Sequence, residues 1–298
     1  MPMNVKNPAA MAVLAGVLAW PVAGAADEAL DLLAQMRNAV HTLDYSGTLV
    51  YAQGNELSTY QISHKLENGA ERESVIRLEQ GQGAASEQVE SFSLAKFQQV
   101  QPQMEQVYSL ELGGQEFVAN RNCDVIVARP RDKMRYLQRY CIDPASGMLL
   151  KYSLIDRSHQ SVEQLIFTAL DIAPAAQSAA QFRADVTSPG KTPDAPPPPS
   201  TDWVFGALPA GFQQVQDLRQ DAVNGQTPLR QIILSDGMTS VSVFITPPGA
   251  PGILESLEFS AGAMNIYTTE VDGYRVALVG EVPVATLKAV GEGLQHVQ

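Results

Sequence analysis

The sequence predicts an α+β protein in which a half-open antiparallel β-barrel or curved sheet with one covering helix is followed by a smaller C-terminal α+β domain. Three observations carry that expectation. Helical spacing of apolar residues is confined to one stretch near the start, where Leu30, Leu33, Met36, Val40 and Leu43 recur every three or four residues. Short segments of alternating polarity, separated by turn residues, follow it. A proline-rich run then sets off the last part of the chain, with Pro189, Pro193 and Pro196 to Pro199 between Ala184 and Thr201.

The helix is expected over Asp27 to Leu43, with Asp27, Glu28 and Asp31 in its first turn, where the helix dipole favours negative charge. Strands are expected at Tyr45–Gln53, Leu57–Leu66, Glu73–Glu79 and Gln88–Leu94, then at Cys123–Ala128, Met134–Ile142, Met148–Asp156 and Val162–Ile172. The turns between them include Asn68-Gly69, Gly113-Gly114, Pro130 to Lys133 and Asp143 to Gly147. Sequential hairpins leave an apolar sheet face, which is covered by curling the sheet or by laying the helix across it. A concavity of this kind is the default place for a hydrophobic ligand. In the C-terminal part, hairpins at Ser235-Asp236-Gly237 and Val271-Asp272-Gly273 give four strands, and a last helix starts after Pro283.

The N-terminus reads as a signal peptide. Lys6 is the only charge before Asp27, and the apolar run Ala9 to Trp20 is shorter than the roughly 20 residues a membrane span needs. Ala23 and Ala25 suit a signal peptidase, so cleavage is expected near Ala25 and the mature chain in a Gram-negative-type periplasm; a retained anchor is the weaker alternative. The expected organisation is residues 1–25 signal peptide, 26–183 first domain, 184–201 linker and 202–298 second domain. Proline at this density favours an extended spacer, the alternative being a long surface loop within one domain.

The formal net charge of −12 disfavours nucleic acid as a ligand, because phosphates must be neutralised by clustered Lys and Arg. Export disfavours ATP-dependent chemistry. His41, His64, His159 and His296 have no metal-ligand spacing, no GxSxG elbow exists, and Gly81-Gln82-Gly83 lacks the rest of a dinucleotide loop. No metal, cofactor or catalytic residue is therefore expected. Charge placement says more: Arg121 to Arg157 holds eight basic against four acidic residues, whereas 202–298 holds four basic against ten acidic. The basic hairpins could face anionic lipid or an acidic partner, could serve solubility alone, or could meet the acidic second domain.

Cys123 and Cys141 lie on two arms of the hairpin that turns at Pro130 to Lys133, within one residue of facing each other. An oxidising compartment and an even cysteine count favour a disulfide, with two separate thiols as the alternative. Tyr45, Tyr51 and Trp203 are candidates for a ligand surface, although aromatic residues on alternating strands more often sit in the core.

Several segments resemble the RseB/MucB family of periplasmic regulators of an extracytoplasmic sigma factor. They are Leu32 to Met36, Asp44 to Thr48, Asp143 to Met148, Trp203 to Phe205, Leu208 to Phe212, Leu234 to Ile245, Gly262 to Asn265 and Gly280 to Pro283, the most specific lying around Ser235, Asp236 and Gly237. The resemblance implies a lipoprotein-carrier-like first domain with a lipid-accommodating concavity, and a second domain that helps hold a transmembrane anti-sigma factor by its periplasmic domain. It further implies shielding of that factor from proteolysis, with amphiphilic lipid or lipopolysaccharide as the releasing signal. Ser235, Asp236 and Gly237 are the candidate partner-binding residues. A carrier or chaperone of lipids or lipoproteins is the rival reading, and the sequence leaves a homo-oligomer open.

Overall fold

The computed structural model describes residues 23–67, 70–78, 94, 104–173, 202–220, 228–249 and 258–297. The apolar run Ala9 to Trp20, the linker 184–201, the Asn68-Gly69 turn, Gly81-Gln82-Gly83 and the expected strand Gln88–Leu94, except Leu94 itself, lie outside these residues.

Helix α1 spans Ala23–Thr42 and starts earlier than its apolar spacing predicts, so its first turn holds no acidic residue. The added residues are mostly alanine, the strongest helix former. Strands β1 (Tyr45–Gln53), β2 (Glu56–Glu67) and β3 (Ala70–Arg77) follow, then a short helical turn α2 (Met104–Val107). Next come β4 (Tyr108–Val118), β5 (Arg121–Pro130), β6 (Leu137–Ile142), β7 (Leu149–Ile155) and β8 (Ser161–Ile172). They form one antiparallel sheet in the order β3-β2-β1-β8-β7-β6-β5-β4. Among the described residues its edges β3 and β4 do not pair, so the sheet is open there. It is nevertheless curled, because β4 touches β8 across three intervening strands.

Helix α1 lies in the trough and reaches β4 on one side and β2 on the other. Its Ala29, Leu33 and Met36 are fully buried against Leu49 and Ile62 on one flank, Phe167 at the floor, and Ile126 and Ile142 on the other. Each large apolar side chain so buried contributes about 1.5 to 3 kcal/mol. The Asp143–Met148 turn closes it: Gly147 has φ +77°, and a Cβ there would stand 3.0 Å from the Gln35 carbonyl oxygen.

One expected turn proves to be strand. β4 runs through Gly113-Gly114, where its register against β5 shifts between Leu112 and Gln115. The two glycines form a bulge rather than a reversal.

The second domain contains β9 (Trp203–Phe205), β10 (Gln213–Gln220), β11 (Leu229–Ser235), β12 (Ser240–Thr246), β13 (Glu258–Ala261), β14 (Met264–Val271) and β15 (Tyr274–Gly280). Helix α3 (Val284–Gly293) and β16 (Leu294–His296) complete it. Six strands form a sheet in the order β10-β11-β12-β15-β14-β13, and β16 pairs with β9. Instead of the four strands expected, the sheet gains both edges, β10 and β13. β10 reads QQVQDLRQ and buries only Asp217, so it carries no apolar alternation; β13 is only four residues long. α3 packs on β14 and β15 over a core of Trp203, Ile232, Val243, Leu278, Leu287 and Val290, separate from the core of the first domain.

Candidate interdomain site

The connection between β5 and β6, residues 131–136, does not make a tight hairpin. It reaches across to the second domain, and Arg135 is its central residue. The side chains of Arg135 and Asp236 are both 0% exposed. Arg135 Nε donates to Asp236 Oδ2, Nη1 to Asp132 Oδ2, and Nη2 to the Ala210 carbonyl. Its guanidinium lies 4.8 Å from the Phe212 ring centroid and 5.8 Å from that of Tyr108. Burial alone would lower the Arg135 pKa; the Asp236 hydrogen bond and charge outweigh it and leave the pKa raised. Asp236 and Ala210 belong to the second domain, so this group links the two halves of the chain.

Weaker polar ties surround it. Thr286 Oγ1 donates to the Met134 carbonyl (2.6 Å), and Asn265 Nδ2 donates to Tyr136 Oη (3.0 Å) and to the Val282 carbonyl (2.8 Å). Gln53 Nε2 donates to the Ala261 carbonyl (3.0 Å). Close approach is built into the backbone at Gly262, where φ is +59° and a Cβ would fall 2.2 Å from Gln53 Cγ.

Two turns of the second domain enter the mouth of the curved sheet. Ala263, in the β13–β14 turn, is fully buried in the first domain's core, and Met238, after Asp236 and Gly237, packs against that core. Arg37 on α1 meets this second turn. Its Nη2 lies 3.4 Å from both the Gly237 carbonyl oxygen and Met238 Sδ, while Nε and Nη1 are buried with no acceptor among the described residues. Burial pushes the Arg37 pKa down. Below lies a polar network within the sheet: Tyr140 Oη donates to Gln138 Oε1, Tyr152 Oη reaches the same oxygen (3.4 Å), and Gln138 Nε2 donates to Tyr108 Oη (3.3 Å).

The structure places the sequence-derived candidates as follows. Cys123 and Cys141 are joined in a disulfide, yet Cys141 faces Val125, two residues along from Cys123. The expected offset of one residue is corrected to two, which keeps both sulfurs on one face. The cause is the 131–136 connection: Met134 and Tyr136, expected in the strand, turn instead toward the second domain. Ser235, Asp236 and Gly237 form the turn at the junction, held by Ser235 Oγ on the Thr239 carbonyl (3.0 Å) and by Asp236 Oδ1 on the Met238 and Thr239 N–H groups (2.9 Å each). Tyr45 is buried and stacked on His64, with ring centroids 5.1 Å apart. Tyr51 is half-buried and edge-on to Tyr60; burial raises the pKa of both candidate tyrosines. Trp203 packs on Tyr274 and His296 in the second core. Arg37 was not among the candidates, although its position four residues after Leu33 puts it on the buried stripe of α1.

A curved sheet with its helix, a smaller sheet domain, and a buried polar lock between them define a two-domain binding protein. The chain belongs to the MucB/RseB family: the family's N-terminal domain matches residues 28–89 and 83–186, and its C-terminal domain matches 197–295. The sigma factor AlgU regulatory protein MucB of Pseudomonas aeruginosa is 28% identical over 300 residues, covering 93% of this chain and 94% of that protein. The sigma-E factor regulatory protein RseB of Escherichia coli K12 is 26% identical over 187 residues, 61% of this chain and 57% of that one. Among solved structures, MucB in complex with MucA(peri) matches with a TM-score of 0.67 and 26% identity, covering 91% of this chain and 99% of that one. MucB by itself matches with a TM-score of 0.63 and 25% identity, covering 91% and 98%. These relatives are regulatory proteins rather than enzymes.

Within this chain, four of the segments that carry the family resemblance meet at the junction. Leu208 to Phe212 supplies the Ala210 carbonyl and the Phe212 ring, Leu234 to Ile245 supplies Asp236, Gly262 to Asn265 supplies Ala263 and Asn265, and Gly280 to Pro283 supplies the Val282 carbonyl.

Proposed function

We propose that this protein is a periplasmic regulator of an extracytoplasmic sigma-factor pathway. It binds the periplasmic domain of a transmembrane anti-sigma factor, shields that domain from regulated proteolysis, and lets it go when an amphiphilic lipid or lipopolysaccharide-type signal binds. The observation that carries this reading is the extent of the likeness to MucB in complex with MucA(peri), which covers 91% of this chain and 99% of that one. A lipid-carrier reading draws support from the curled sheet, but α1 and two turns of the second domain already fill its trough.

The test is calorimetric titration of the chain lacking residues 1–25 with the periplasmic segment of its cognate anti-sigma factor, paired with a protease-protection assay. The expected result is a Kd of about 1 μM or tighter, roughly −8 kcal/mol, with protection of the segment that amphiphile reverses. A folded sample that shows neither binding nor protection refutes the regulator and leaves the carrier reading in its place.

A further inference from the structure

The Asp236–Met238 turn brings three groups to the mouth of the curved sheet. Its carboxylate sits on Arg135, its Gly237 carbonyl faces Arg37, and its unbranched Met238 side chain lies on the apolar core. A negative head and a flexible apolar tail, side by side, are the two parts of an anionic amphiphile. The turn is also a preformed unit, since Asp236 Oδ1 and Ser235 Oγ hold it together from within the second domain.

The turn brings one carboxylate to a mouth that holds two guanidiniums, Arg135 and Arg37. Arg135 has two carboxylates, Asp236 and Asp132. Arg37, only 7% exposed, has no carboxylate within ion-pair distance among the described residues, and two of its nitrogens lack any acceptor. A guanidinium does not shed its charge at accessible pH, so a buried one without an anion is costly. Phosphate or carboxylate oxygens are the groups that complete it, because they accept several N–H bonds at once.

We infer that the Asp236–Met238 turn stands in the site of an anionic amphiphile, so that binding such a ligand at Arg37 and Arg135 and docking the second domain exclude each other. This rests on the lipid-sensing reading above and gives it a site and a mechanism. The ligand's head replaces the Asp236 carboxylate on Arg135 and engages Arg37, while its chain takes the place of Met238 against the core. By linkage, such a ligand favours the parted arrangement by its difference in affinity for the two.

The probe is dodecyl phosphate below its micellar concentration, titrated into the chain lacking residues 1–25, with dodecyl maltoside and inorganic phosphate as controls and X-ray scattering to follow domain separation. Asp236→Asn keeps the Oδ1 acceptor of the turn but removes its charge, and should bind dodecyl phosphate about tenfold more tightly, whereas Arg37→Gln should bind about tenfold more weakly. The radius of gyration of the unsubstituted chain should rise on saturation. Dodecyl phosphate binding with equal affinity to the unsubstituted chain and Asp236→Asn overturns the competition but leaves lipid sensing standing. Equal affinity for dodecyl maltoside overturns the head-group assignment. No binding by either the unsubstituted chain or Asp236→Asn, both folded by circular dichroism, overturns the inference together with the lipid reading. Because Asp236→Asn decides the matter by itself, a poorly folded Arg37→Gln would not shelter the inference.

Discussion

Two seams run through this molecule, and they are made of different materials. Where α1 meets the curved sheet, the contact is apolar: Ala29, Leu33 and Met36 against Leu49, Ile62 and Phe167. Where the two domains meet, buried polar and charged pairs stand beside the apolar insertions of Ala263 and Met238: Arg135 with Asp236, Asn265 with Tyr136, Thr286 with the Met134 carbonyl. Opening the first seam exposes hydrocarbon to water at about 25 cal/mol per Å². Opening the second exchanges protein hydrogen bonds for water ones, so much of the loss is recovered. The domain seam is therefore the easier of the two to open.

The largest effect should come from breaking the apolar seam. Leu33→Ala leaves a cavity under α1 and should destabilise the first domain by about 2 to 5 kcal/mol, read as a lower midpoint in urea unfolding. The second core shares no residues with the first, so a two-step transition with only the first step shifted is expected. A single shifted transition would contradict independent seams, since the domains would then unfold as one.

A smaller effect is expected at the rim of the polar seam. Asn265→Ala removes the donor to Tyr136 Oη across the junction, which should cost about 0.5 to 1.5 kcal/mol of domain docking, and the donor to the Val282 carbonyl within the second domain. It should show as faster hydrogen exchange of junction amides, with amides under α1 unchanged. Acceleration under α1 as well would mean that the seams are not independent.

Much of this architecture is legible in the sequence, for identifiable reasons. α1 and the hairpins at Ser235-Asp236-Gly237 and Val271-Asp272-Gly273 follow from local periodicity and turn chemistry. β10 was missed because its partners replace an apolar face with the Asp217–Arg230 ion pair, and β4 because two glycines in a bulge look like a turn. The surplus of positive charge in 121–157 and of negative charge in 202–298 made a contact between domains one of three open readings. The pairing of Arg135 with Asp236, 101 positions apart, is set by the meeting of two folded domains and leaves no local trace. Arg37 is the opposite case, since helical spacing from Leu33 marks it as buried, but a charged side chain beside an apolar stripe ordinarily reads as solvent-facing.

The most direct test of the lock between the domains is X-ray scattering on Arg135→Met, beside the unsubstituted chain, in the absence of any ligand. The substitution keeps apolar bulk beside Phe212 and Tyr108 but leaves Asp236 without its guanidinium. A larger radius of gyration is expected with circular dichroism unchanged, two intact domains no longer held together. An unchanged radius of gyration in a folded sample would contradict it, placing the hold between the domains in their apolar contacts instead.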